Sequence, residues 1–543
     1  MRTSDFGAVG DGLTDDTAAL QAALDAAEGS VLEFAPGCYV TGRLNVRSGT
    51  LVVMSPDVSL KKRVNAGGIL RVVDASGVRI HGNGATIYGD DPAGSTAYSH
   101  TLAFLGASDC EARDLIVDGA SAGGGGKDCI YVGAGAAACD NVRIIGVKAL
   151  RAKRNGISVV AGHRTLIEDV EAAYANGAPG AGIDVEANAH GQVSGTVIRR
   201  AHCHHNSSSG IINSFGAGTL IERCELHDNA AYGIGISSGG GAVFAEGVYR
   251  PNVDVIGVTG FDTATGVVFV AAQPPVGTPV MLSVRNGAAK PPEFSGTYMI
   301  VSRHVGTNGV ILGSSVRRGE VKSCSAGSGV MDSNPAVSDV RLLAFVDGQS
   351  DNCTVFRSSA YRNGQHGIIV IGAGKCLISE SAFHGNLGYS QAWVGVTKDI
   401  EIDRCQFAGG GIGLVAQRGG GYLRITRSAM DGTGSRGLAL SDWTGAEVDR
   451  NALRDCAASE PGSSKAAMHV SACLRPSVTR NTVTQAAANT TTLYGIYAEG
   501  SVENGTFTGN DLTGAGTTPA NALLIMSPTC TVSGNIGRDG LPL

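Results

Sequence analysis

A glycine followed by isoleucine returns at Gly156-Ile157, Gly182-Ile183, Gly210-Ile211 and Gly233-Ile234, every 23 to 28 residues. Between these pairs runs a second phrase: Thr165-Leu166-Ile167-Glu168, Thr196-Val197-Ile198-Arg199 and Thr219-Leu220-Ile221-Glu222, each leading to an Asn and a Gly-containing turn. A fixed period of this length marks a repeat architecture, because one such unit cannot bury its own apolar face and must stack on its neighbours. Two or three short alternating strands per period, punctuated by Asn and Gly, describe one coil of a parallel β-helix. Coils would stack about 4.8 Å apart through strand ladders, their inward aliphatics forming one core. Propeller blades need about 40 residues each, and small sandwiches would not keep the phrase order.

After an interruption the phrase resumes as Thr354-Val355-Phe356-Arg357, Cys376-Leu377-Ile378-Ser379, Ile400-Glu401-Ile402-Asp403 and Leu423-Arg424-Ile425-Thr426, and it persists to Cys530-Thr531-Val532-Ser533. The interruption, 244–327, holds Val253-Asp254-Val255-Ile256, Gly266 to Val270, Pro279 to Leu282, Gly296 to Val301 and Gly309 to Leu312 between Pro and Gly turns. These read as hairpin strands of a separate small β domain. The expected division is an N-terminal cap over 1–69, coils over 70–243, the inserted domain over 244–327, and coils again over 328–543.

Composition agrees with many short strands broken by tight turns: 80 glycines, 5% aromatic and 17% charged residues, yet 43% hydrophobic. The net charge of −6 is mild for 543 residues, and no Lys/Arg run interleaves with aromatics, so nucleic acid is not an expected partner. No stretch approaches the ~20 apolar residues of a membrane span. Met1-Arg2-Thr3 runs straight into Asp5-Phe6-Gly7 without an apolar secretion core, so no signal peptide is expected. Thirteen cysteines form no CxxC pair, and Cys203, Cys224 and Cys405 recur in similar settings, which reads as buried thiols of a repeating strand.

The opening Asp5-Phe6-Gly7-Ala8-Val9-Gly10-Asp11-Gly12 precedes Thr14 to Leu24, where early acids and Leu20/Leu24 describe a short capped helix with one apolar stripe. Followed by strands at Ser30 to Phe34 and Thr50 to Met54, it would plug the open end of a solenoid.

These residues, Asp5 to Gly12 with Thr14 to Leu24, resemble the start of the pectate-lyase-like β-helix superfamily, which includes phage tailspikes, pectin-cleaving enzymes and mannuronan C5-epimerases. The insertion, with Gly277-Thr278-Pro279-Val280, Gly296-Thr297-Tyr298 and Leu312-Gly313-Ser314-Ser315, resembles a small β domain of phage tail proteins. The resemblance implies an all-β fold, a single-stranded right-handed parallel β-helix with an N-terminal capping helix and an inserted small β domain. It further implies a tailspike-type depolymerase: a homotrimer on a virion tail or outside the cell that binds and cuts bacterial surface polysaccharide. No head-binding or trimerisation domain is read in the chain.

Fold does not give function, so the outward residues must. Alignment on Gly-Ile turns Ile157/Val159, Ile183/Val185, Ile211/Asn213 and Ile234/Ile236 inward, because side chains alternate along a strand. The outward set is then Tyr131, Ser158, Asp184, Glu186, Ser214, Ser237, Phe345 and Asp347. Asp184 and Glu186 stand two apart on one face, about 6.6 Å between Cα atoms. Glycosidases hold two carboxyls about 5 to 9.5 Å apart, one to protonate the leaving sugar and one to activate water or attack carbon. Exposed carboxylates that only solubilise a strand or bind a cation are the plainer alternative. Tyr131, on the same column two coils earlier, offers a face for a sugar ring or is a half-buried structural residue. Lys153 and Arg154 could neutralise a uronate or decorate a solvated turn. With Tyr131 or a nearby histidine as base they would suit a β-eliminating lyase, the second mechanism. His190, His204 and His205 are placed in turns near the acidic coil, and His190, Ser158, Ser214 and Asp347 complete the expected binding surface. No metal or cofactor is assigned, with a structural or catalytic calcium left open. Gly182-Ile183-Asp184-Val185-Glu186 keeps the acids of the epimerase signature Asp-Pro-His-Glu but lacks its Pro-His step. A non-catalytic glycan-binding adhesin or tail protein remains the alternative of a different class.

Overall fold

The computed structural model describes residues 1–63, 68–89, 100–119, 128–187, 191–237, most of 352–543, and between them essentially the six strands within 253–345. The chain forms two compact units, Met1–Gly235 with Cys353–Gly367, and Ile236–Asn352 with Ile368–Leu543. Each holds coils of a parallel β-solenoid with three strand-bearing faces. Among the described residues no helix is long and apolar enough to cross a membrane.

In the first unit one coil reads Leu166–Glu168 on the first face, Glu171–Ala173 on the second and Ile183–Glu186 on the third. Every face pairs in parallel with the same face of the next coil: Leu166 with Val197, Glu171 with His202, Ile183 with Ile211. Such strands need only a short central residue inward. Ile167, Ile198, Ile221 and Val355 register in one column, essentially without solvent contact. There the phrase reading slips by one residue. Leu220 pairs with Thr354 and Ile221 with Val355, so Val355 is inward and Phe356 outward, because a one-residue shift exchanges the two faces of a strand.

The chain passes from first to second face on a single residue in left-handed conformation, Asp169, Arg200, Arg223 and Arg357 in the first unit and Arg404, Arg427, Arg450 and Arg480 in the second, with φ between 48° and 55°. This conformation is sterically unfavourable for L-residues. Several of these arginines reach the acid one coil back: Arg200 to Asp169, Arg427 to Asp403 and Arg480 to Asp449. The residue that follows is buried, from Ala201 and Ser428 to Asn451 and Asn481, and this is where Cys224 and Cys405 lie; burial pushes both thiols up to about 12. Among the described residues twelve cysteines are free and none forms a disulfide.

At the N-terminus the helix is Thr17–Ala26, shorter than expected at its start, because Asp11–Asp15 forms a strand against Gly37–Thr41. Asp16, buried at the helix start, accepts from the backbone N–H groups of Val9 (2.7 Å) and Gly10 (3.0 Å), tying down the opening loop. Leu20, Ala23 and Leu24 form the buried stripe. Gln21 covers the first third-face strand, Leu44–Val46: its amide accepts from Asn45 N (2.8 Å) and donates to Asn45 O (3.0 Å), as a neighbouring strand would. This blunts an open sheet edge.

The inserted strands form a closed antiparallel barrel in the order Val253–Asp262, Val267–Val270, Gly309–Leu312, Thr297–Arg303, Pro279–Val284, Val340–Phe345. Val340–Phe345, expected in the second stretch of coils, belongs to the barrel: it pairs with both Val253–Gly257 and Pro279–Val284. Closure requires a strand between those two, and residue 327 is therefore too early a boundary.

Candidate carbohydrate-binding site on the third face

The third-face strands Leu102–Leu105, Ile130–Gly133, Ile157–Val159, Ile183–Glu186 and Ile211–Ser214 bring Tyr131, Ser158 and Asp184 into one column and Glu186 beside Ser214. Their alternates Ile130, Val132, Ile157, Val159, Ile183 and Val185 are fully buried. The column is as the sequence implied, but pointing away from the core does not make it open to solvent. Ser158 is 0%, Asp184 3% and Ser214 7% exposed. The bend before the Ile157 strand reaches over Ser158 and Asp184. Asn155 Nδ2 donates to Ser158 Oγ (3.1 Å) and to Asp184 Oδ2 (3.1 Å), and Arg154 Nη1 approaches Ser158 Oγ at 3.4 Å.

Arg154 is the hub. Its Nη1 lies 3.1 Å from Asp128 Oδ2 and its Nη2 2.6 Å from Glu186 Oε2, so one guanidinium joins carboxylates of two different coils. Burial opposes its charge, but Asp128, then Glu186 and Asp184, outweigh that and raise its pKa above the ordinary arginine value. Arg154, read from the sequence as able to neutralise a uronate or as decorating a solvated turn, is held by the protein's own carboxylates. Lys153, in the same bend, is half-buried.

Two participants escaped the sequence reading. Asp128, its side chain without solvent contact, accepts from Asn155 N (2.9 Å) and faces His100 Nδ1 at 3.0 Å. His100 in turn stacks on Tyr131, ring centroids 3.9 Å apart and planes 10° from parallel. Tyr131 leans over Gly133, where a Cβ would lie 2.2 Å from its ring, so that glycine makes room for the aromatic. Asp128 had a signal: it stands two residues before Ile130, as Asn155 and Ala181 stand before Ile157 and Ile183. The position carries its own ladder, since Asn155 Oδ1 accepts from Ala181 N at 2.9 Å. His100 had none, being remote from any repeat. His190 and Asp347 lie outside the described residues. His204, expected in a turn, lies in the second-face strand His202–His204.

Asp128, Asp184 and Glu186 thus surround one guanidinium beside a stacked His–Tyr pair on a largely desolvated sheet face. Of these groups Glu186 and Tyr131 keep partial exposure, a carboxylate for sugar hydroxyls and an aromatic edge for a sugar ring, while Asp128 and Asp184 are buried.

No curated protein matches the chain. Among solved structures it is similar to the A-module of a mannuronan C-5 epimerase of Azotobacter vinelandii, at 16% identity over 98% of each chain and a TM-score of 0.41. It is also similar to tailspike protein 3 of bacteriophage CBA120, at 10% identity over 100% of this chain and 62% of that one with a TM-score of 0.38. A third is PfbA, a surface adhesin of Streptococcus pneumoniae, at 11% identity over 93% and 91% with a TM-score of 0.33. Likeness at this level carries no activity from one protein to another. The family description "right handed beta helix region" matches residues 128–269 and 343–535, more than half of the chain, and with the parallel three-faced coils it establishes that this protein belongs to the right-handed β-helix family.

Proposed function

We propose that this chain binds and cleaves a bacterial surface polysaccharide, with the third face as its binding surface and hydrolysis as its chemistry. The observation that carries the reading is the constellation of Asp128, Asp184 and Glu186 around Arg154. Two carboxylates on one strand in unlike settings suit the two roles of a glycosidase. Asp184, buried against the Asn155 amide, acts as the proton donor to the leaving oxygen. Glu186, held by Arg154 near the surface, acts as the base that activates water. Their positions two residues apart on one strand, about 6.6 Å along the backbone, are compatible with such a carboxylate pair.

The same constellation argues against elimination from a uronate. A lyase needs unengaged positive charge over the substrate carboxylate, whereas here three carboxylates already compete for Arg154, and a fourth would be repelled. The reading carries with it a homotrimer on a virion tail or outside the cell, supported only by the resemblance of the opening and inserted segments to tail proteins.

The test is product formation from a panel of capsular and exopolysaccharides. Reducing ends without new ultraviolet absorbance support hydrolysis; absorbance of an unsaturated uronate would overturn it in favour of elimination; stable glycan binding without products would leave an adhesin. Asp184→Asn and Glu186→Gln should each lower turnover by roughly 10² to 10⁴, with glycan binding retained because the lost interaction belongs to the transition state. Full turnover in both variants would sink the assignment.

A further inference from the structure

The second face of the same unit carries a histidine stripe that the polysaccharide reading does not use. Its inward column is Ala172, Cys203, Leu226 and Ala360. On either side of it run Glu171, His202, Glu225 and Ser359, and Ala173, His204, His227 and Tyr361. His204 and His227 stack at 5.3 Å with planes 5° apart, and His227 stacks on Tyr361 at 5.0 Å. His202 Nε2 and His227 Nε2 face each other at 2.7 Å. A ligand atom from each of His202, Glu225 and His227 lies within 4.8 Å of the other two.

We propose that His202, His227 and Glu225 bind one divalent transition-metal ion of the zinc class. Two imidazole nitrogens with one carboxylate form a three-ligand set that leaves a fourth position for water or a substrate oxygen. Nitrogen donors select zinc and its neighbours over calcium or magnesium, which take oxygen. The support behind the ligands is already built. His227 Nδ1 lies 2.6 Å from Asp228 Oδ2, the carboxylate partner that fixes a metal-bound imidazole with its Nε2 lone pair outward. Asp228 is itself held by Arg362, with Nε 2.9 Å from Oδ1. The Tyr361 hydroxyl donates to Glu225 Oε1. Two nitrogens on one tetrahedral zinc, each about 2.0–2.1 Å from the ion, stand about 3.3 Å apart. The facing rings therefore open by about half an ångström to admit it. Without an ion, the pair can share only a single proton.

The experiment titrates the full-length protein with ZnCl₂ by calorimetry and with CoCl₂ by visible absorption. One saturable equivalent, with the intense bands of four-coordinate cobalt, is expected. Asp228→Asn should weaken zinc binding roughly 10- to 100-fold, and His202→Gln, His227→Gln and Glu225→Gln should each weaken it further, while His205→Gln leaves it unchanged. Absence of stoichiometric binding by the native protein would overturn the proposal. So would Glu225→Gln binding unchanged while His205→Gln does not bind, which would move the ion to the overlapping group His205, His227 and Asp228. Should a histidine variant lose its melting transition, Glu225→Gln decides, because its side chain is exposed and the substitution nearly isosteric.

Discussion

Arg154 shows how much one side chain carries at the candidate site. It neutralises Asp128, which has no solvent contact, and Glu186, one coil to the other side. Removing one partner of a buried ion pair costs more than the pair contributes, because the remaining charge stays buried without compensation. Arg154→Ala should therefore destabilise the protein by about 3–5 kcal/mol, measured as a shift in the denaturant midpoint. Arg154→Lys should recover only part of it, since an ammonium cannot fork between two carboxylates as a planar guanidinium does. A substitution to Ala that left the midpoint unmoved would mean that the cluster is hydrated and loosely held. Asp184 and Glu186 were legible from their spacing. The burial of Asp184 and the capture of Glu186 were not, because they depend on Asn155 and Arg154 reaching over the strand.

At the scale of elements, the coils are locked by buried asparagine ladders. In the first unit Asn206, Asn229 and Asn363 form one after the second face, each Nδ2 donating to the next Oδ1 at 2.9 Å. In the second unit Asn451, Asn481, Asn510 and Asn535 form another after the first face, at 2.9 to 3.0 Å. Each rung also donates to a backbone carbonyl, as Asn481 does to Val448 O (3.0 Å). Asn481→Ala should cost roughly 2–4 kcal/mol, because it orphans buried groups on both neighbouring coils. Asn535→Ala, at the last rung, should cost less by about 1 kcal/mol, one hydrogen bond's worth. Urea melts of the two variants would check the order, and equal costs would show that the rungs act independently. The repeated Asn was visible in the sequence. Its inward direction follows from the left-handed residue before it, Arg450 or Arg480, which turns the next side chain toward the core.

At the scale of the molecule, the barrel interrupts a coil that resumes in register, with Leu220 opposite Thr354 and Leu226 opposite Ala360. Excising 244–350 with a short Gly-Ser bridge should leave one cooperative melt. Excising only 244–327 should promote aggregation, because Val340–Phe345 would keep its chain but lose both partner strands. Static light scattering and calorimetry on the two deletions would separate them. Loss of the melt in the longer deletion would show that the barrel is integral to the coils.

The sequence by itself determined the coil period, the inward residues of the third-face strands and the presence of an interruption in the repeat. Those follow from local alternation and from turns on Asn and Gly, which any stretch of a few residues carries. It also placed Tyr131, Ser158, Asp184 and Glu186 on one face, since a parallel ladder copies register from coil to coil. Only the tertiary structure decided that Asp128 and His100 join them, that Arg154 is already spent on carboxylates, and that three histidines converge on the second face. These groups come from bends and strands 25 to 32 residues apart, and a period says which residues share a column without saying how long side chains reach between columns. The barrel boundary was decided in the same way: closing a sheet depends on which distant strand fills the last gap, and Val340–Phe345 reads locally like any other strand of this chain.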